Sequence, residues 1–99
     1  MRLTDRQKNI IKKTVEIQFN HQATVKLFGS RTDDTLKGGD IDLLLEFNSH
    51  TQQVASQILR LNTELQKHLG AQKIDIIALM PNQTPNAVQK QALESGILL

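Results

Sequence analysis

Two short runs constrain this chain more than anything else in it. The first, Val25-Lys26-Leu27-Phe28-Gly29-Ser30-Arg31, is apolar and then breaks at Gly-Ser. The second turns in at Gly38-Gly39 and continues Asp40-Ile41-Asp42-Leu43-Leu44-Leu45-Glu46-Phe47. Successive side chains of an extended strand point to opposite faces. Asp40 and Asp42 therefore share a face, and Ile41 takes the other. Two carboxylates side by side repel, and the arrangement is costly unless a cation sits between them. Magnesium prefers oxygen ligands and keeps several waters, so it fits such a pair.

The Gly-Ser step is the complementary part. Gly29 allows close backbone approach at a strand end. Ser30 can cap a short helix and offers a hydroxyl. Backbone N–H groups at a turn of this kind attract phosphate. A phosphate cradle beside a metal-binding carboxylate pair points to an enzyme that handles a metal-bound nucleoside triphosphate. Arg31 follows directly, and its guanidinium can pair either with a triphosphate or with Asp33, Asp34 or Glu46. Asp33 and Asp34 read as turn formers, with a metal role as the alternative.

Gly29-Ser30, a spacer of nine residues and Asp40-Ile41-Asp42 resemble the hallmark of the DNA polymerase β-like nucleotidyltransferase superfamily. The familiar spacer is about ten residues, and a Ser often stands where this chain has Gly39. In size the whole chain is similar to the minimal nucleotidyltransferases, the MNT group. The resemblance implies an α+β fold: a polymerase β-like core with a small mixed sheet of three or slightly more strands and helices on one face. It implies that Asp40 and Asp42 hold magnesium and that Asp75, on a later strand, completes the metal site and helps activate the attacking hydroxyl. It implies that Gly29 and Ser30, with Arg31 beside them, bind the nucleotide. The implied reaction moves AMP from ATP to a hydroxyl acceptor. Many MNT proteins are encoded beside a HEPN-domain partner, so the implied acceptor is such a toxin, the chain acting as antitoxin in a homo- or hetero-oligomer. Two alternatives stand beside this: an antitoxin that neutralises its partner by contact alone, and a small-molecule nucleotidyltransferase completed by a separate substrate-binding subunit.

Composition narrows the rest. Ninety-nine residues suggest one domain, residues 1–99. Tyr and Trp are absent, which removes an aromatic platform for stacking bases, and a net charge of +2 is too weak to argue for nucleic acid. Without Cys there are no disulfides and no thiolate zinc sites. No apolar run approaches the ~20 residues of a membrane span, and no hydrophobic leader opens the chain. The expectation is a soluble cytoplasmic protein. Arg2, Arg6, Lys8, Lys12 and Lys13 crowd the first segment and read as a solvated helix face, with a docking surface for an acidic partner or nucleic acid as the alternative.

In order along the chain, residues 4–20 read as a helix capped by Thr4 or Asp5, with Ile10, Ile11, Thr14, Val15 and Ile17 as its apolar stripe. Strands follow over 23–28 and 40–47, antiparallel to each other, joined by a polar loop over 32–39. A second helix over 51–69 carries Val54, Ile58, Leu61, Leu65 and Leu69 at helical spacing and stops at Gly70. The third strand, 72–79, should lie parallel to the second by a right-handed crossover. Asp75 is a carboxylate in its middle, needing either a cation or an ion pair with Lys73 or Arg31. A closing helix over 85–95 buries Ala87, Val88, Ala92 and Leu93, and the apolar tail Ile97-Leu98-Leu99 packs on the sheet or meets a partner. His21, His50 and His68 read as surface residues, because metal sites need clustered ligands.

Overall fold

A computed structural model describes residues 3–33 and 39–99. Helix α1, Asp5–Phe19, begins at a capping box. The Gln7 N–H donates to Thr4 Oγ1 at 3.0 Å, and the Thr4 N–H donates back to Gln7 Oε1 at 2.9 Å. Ile11, Val15 and Phe19 are its buried residues. They recur every four positions, so one helix face takes the core. Ile17, expected in that stripe, falls between them and is 74% exposed. Phe19 meets Phe47 edge-on, with ring centroids 5.2 Å apart at 83°. Such a pair adds about 0.5–1.5 kcal/mol beyond its buried area.

Strands β1 (Ala23–Phe28), β2 (Ile41–Phe47), β3 (Ile74–Leu79) and β4 (Ile97–Leu98) form one sheet in the order β3-β2-β1-β4. β1 and β2 are antiparallel, and β2 and β3 are parallel across helix α2, Val54–Leu69. The apolar tail supplies β4, antiparallel to β1, and the Leu99 N–H donates to the Val25 carbonyl at 3.1 Å. Helix α2 starts three residues later than expected, at the first residue whose apolar side chain packs on the core. Of the expected polar loop over 32–39, residues 34–38, Asp34 and Gly38 among them, lie outside the described residues.

The main core lies between α1, α2 and one face of the sheet. Leu27, Ile41, Leu43, Leu45, Leu61 and Leu65 are fully enclosed there. The expectation of helices on one face holds for α1 and α2. Helix α3, Ala87–Ser95, instead covers part of the opposite face, where Phe28, Leu44, Leu79 and Ala92 form a second cluster. The reason is in β2 itself: Leu44 shares a face with Asp42 and Glu46, and an apolar residue there needs a cover. Val88, expected to be buried in α3, is half exposed, and Gln89 is buried in its place.

Gln89 has a specific task. The Lys73 carbonyl accepts from Ile41, so residues of odd number in β3 face β2 in the ladder. The carbonyls of Ile74 and Ala78 then point to the open edge. Asn62 Nδ2 of α2 donates to the first at 2.9 Å, and Gln89 Nε2 of α3 donates to the second at 2.9 Å. Two helices thus blunt a strand edge that would otherwise template pairing with another chain. Gln89→Leu removes this donor and the half of the α3 capping box in which the Asn86 N–H donates to Gln89 Oε1. The expected cost is about 1–2 kcal/mol, read as a lower melting temperature, with more light scattering on heating than wild type shows.

Candidate active site

The antiparallel register brings the end of β1 beside the start of β2. Phe28 lies opposite Asp42, so Gly29 falls just past it. Gly29 has φ +77°, in the left-handed region that favours glycine. A Cβ there would run into Oδ2 of Asp42 and sit 3.2 Å from its Cγ. The Asp42 carboxylate is therefore packed directly on the Gly29 backbone. Gly29–Thr32 continue as a single 3₁₀ turn, closed by Thr32 Oγ1 donating to the Gly29 carbonyl at 2.7 Å.

The parallel register supplies the third acid. Asp42 and Asp75 are direct neighbours across β2 and β3. Adjacent strands lie about 4.8 Å apart, so the two side chains leave the same face of the sheet side by side. Asp40 precedes β2 by one residue, on that same face by alternation. Its Oδ2 lies 3.5 Å from Lys73 Nζ. Asp75, for which an ion pair with Lys73 or Arg31 was the alternative, has no cation within ion-pair distance among the described residues. Burial first, then the charges of Asp75 and Asp40, push the Asp42 carboxyl above its ordinary value of 3.8, while Lys73 pulls it down.

The donor set suits a hard divalent cation. All three groups are carboxylates, they repel one another, and a lysine ammonium is already drawn to the edge. The three do not close on one point: among the described residues, no group of three His, Asp or Glu side chains is arranged to hold a metal by itself. The arrangement fits magnesium, which is bound by one or two carboxylates with water and phosphate oxygens completing the shell.

Asp75 is exposed and the Asp40 side chain is 42% exposed. An apolar cavity of about 210 Å³ lies elsewhere, between α1, the start of β1 and the chain's last residues. Arg31 is half-buried; its Nε donates to the Gly39 carbonyl at 3.3 Å and its Nη2 to Gln72 Oε1 at 3.4 Å. Glu46, one of its candidate partners, is held by Lys26 at 3.0 Å near the other end of β2. Lys73 beside Asp40, and Gln72 against Arg31, were not singled out as site residues from sequence. Neither belongs to a motif, and only the β2–β3 pairing brings them to the edge. Among the described residues, no helix is long and apolar enough to cross a membrane.

Residues 7–99 match the family described as Polymerase beta, Nucleotidyltransferase. No curated protein sequence matches the chain significantly. A solved structure of a tri-AMPylated Shewanella oneidensis HEPN toxin in complex with MNT antitoxin contains a chain of similar fold, with TM-score 0.62 and 17% identity. The similarity covers 93% of this chain and 67% of that one. With the Gly-Ser turn, Asp40 just before β2, Asp42 within it and a mixed sheet of the corresponding fold all in place, this chain belongs to the polymerase β nucleotidyltransferase family.

Proposed function

We propose that this protein is a magnesium-dependent adenylyltransferase of the MNT type, which transfers AMP from ATP to a hydroxyl of a HEPN-domain partner and so acts as its antitoxin. The observation that carries the reading is the double register: Phe28 opposite Asp42 and Asp42 opposite Asp75. It puts the Gly29-Ser30 turn and the acids at one end of one sheet face. The partner class rests on the fold shared with the MNT–HEPN complex. The exposed Asp75 carboxylate suits an acceptor that is itself a protein.

In this reading Asp40 and Asp42 would hold the cation, and Asp75 would complete the metal site beside the acceptor hydroxyl. Gly29 lets the triphosphate approach the backbone, Ser30 offers its hydroxyl to a phosphate oxygen, and Arg31 supports the same turn. Bound magnesium would neutralise phosphate charge and lower the pKa of an attacking hydroxyl. The acceptor oxygen bonds to the α-phosphorus, the bond to the β-phosphate oxygen breaks, and pyrophosphate leaves. The hydroxyl proton goes to Asp75 or to water.

The test uses ATP labelled at the α-phosphate, magnesium and the HEPN protein encoded nearest to this chain. Label on the partner, lost with Asp42→Ala or with chelation, is the expected result. Equal labelling by Asp42→Ala would sink the reading. The alternative outcome is a contact-only antitoxin. Neutralisation of the partner by Asp40→Ala without ATP would select it.

A further inference from the structure

The backbone of Gln72 is gripped by the Gln66 side chain. Gln66 Oε1 accepts from the Gln72 N–H at 3.0 Å, and Gln66 Nε2 donates to the Gln72 carbonyl. The same Nε2 donates to Asn62 Oδ1 at 3.1 Å, and Asn62 donates on to the Ile74 carbonyl. The stretch leading into β3 is thus fastened to α2 by amide side chains one helical turn apart. The Gln72 side chain then reaches outward. Its Nε2 donates to the Leu69 carbonyl at 3.2 Å, which fixes the amide plane, and its Oε1 accepts from Arg31 Nη2.

Arg31 completes the chain of contacts. One nitrogen reaches Gln72 and another the Gly39 carbonyl. Arg31 follows Ser30, Gly39 precedes Asp40, and Gln72 stands three residues before Asp75. One planar guanidinium, carried by the turn itself, therefore touches the approach to the first acid and the approach to the third. Gly39 has φ +90° and no side chain of its own to anchor it. The acids nearby repel one another. Something must set their spacing against that repulsion, and a rigid fork with several donors is suited to it.

We propose that Arg31 and Gln72 form a clasp that fixes the spacing of the Gly29-Ser30 turn, Asp40 and β3 before any nucleotide or cation arrives. Both are positioning residues. The clasp rests on the nucleotidyl-transfer reading only for its consequence in catalysis. The geometry is a property of the protein alone, so it is measured without ligand.

Hydrogen exchange is followed in the free protein for wild type, Gln72→Leu, Arg31→Lys and Gln72→Glu. Gln72→Leu and Arg31→Lys are expected to speed exchange about tenfold at the Ile41 amide, which donates to the Lys73 carbonyl, while the amides around Val15 in α1 stay as in wild type. Arg31→Lys keeps the charge and loses the fork. Gln72→Glu keeps an acceptor for the guanidinium and is expected to stay near wild type. Wild-type exchange at the Ile41 amide in Gln72→Leu would overturn the clasp, and so would global loss of protection in that variant with wild-type rates in Arg31→Lys. Calorimetry with ATP and magnesium gives a second readout, in which both variants should weaken binding together. Weakening confined to Arg31→Lys would make the guanidinium a direct phosphate ligand and overturn the clasp. If wild type itself binds no ATP, the transfer reading fails while the exchange data still decide the clasp.

Discussion

Replacing Gly29 with Ala is expected to cost about 2–4 kcal/mol of stability and to disable the site at the same time. Two effects add. The backbone at φ +77° is strained for any residue with a Cβ, at roughly 1–2 kcal/mol. The new methyl would also occupy the place of the Asp42 carboxylate, which must turn away. Because β1 and β2 are paired through Phe28 and Asp42, the strand itself has little room to yield. For a domain of about this size each kcal/mol lowers the melting temperature by about 4–8 °C, so the loss is measurable by thermal unfolding. The double variant Gly29→Ala with Asp42→Ala separates the two effects. It should recover the part due to the clash and keep the part due to the backbone, giving a coupling of about 1 kcal/mol or more. Additive losses would show that the two residues do not touch.

Asp42→Asn is expected to have effects of opposite sign on activity and stability. AMP transfer should fall on the order of a thousandfold, because a neutral amide is a poor ligand for a hard cation and the phosphates lose their counter-charge. Stability at neutral pH should rise. The folded protein holds the Asp42 carboxyl above its ordinary value of 3.8, through burial first and then through Asp75 and Asp40. A carboxyl raised in this way favours folding fully below its unfolded value, and that contribution is lost as pH rises through the folded value. Wild type should therefore lose stability across the window above 3.8 in which Asp42 ionises, while Asp42→Asn should not. Melting curves from about pH 3 to pH 8 would check this, the two proteins converging at the acid end. Added magnesium should stabilise wild type at neutral pH and leave Asp42→Asn unmoved. A flat difference across pH would remove the carboxylate repulsion on which the cation assignment leans.

The elements that could be read in advance were those whose signal is local. Ile11 and Val15 within the apolar stripe of α1, and the stripe from Val54 to Leu69, are properties of one helix each. The alternation that puts Asp40 and Asp42 together is a property of one strand. Where the reading went astray, a second element was involved. Ile17 looks apolar in a window, but it competes with Val15 and Phe19 for a single core face. Val88 yields its place to Gln89 because the open edge of β3 needs a donor at Ala78, a need no residue of α3 announces. The fourth strand is two residues long and exists only because β1 offers it an edge.

The sequence by itself determined the chemistry on offer. It supplied hard oxygen ligands, a glycine that can be approached closely and a serine beside it, with no aromatic platform and no thiol to suggest another use. The tertiary structure alone decided which of these groups meet. Asp75 neighbours Asp42 through the β2–β3 register, and Arg31 reaches Gln72 because α2 holds the approach to β3 in place. Periodicity fixes which face a side chain takes along its own element. Distance across elements depends on register and on packing, and those are set by the whole core at once.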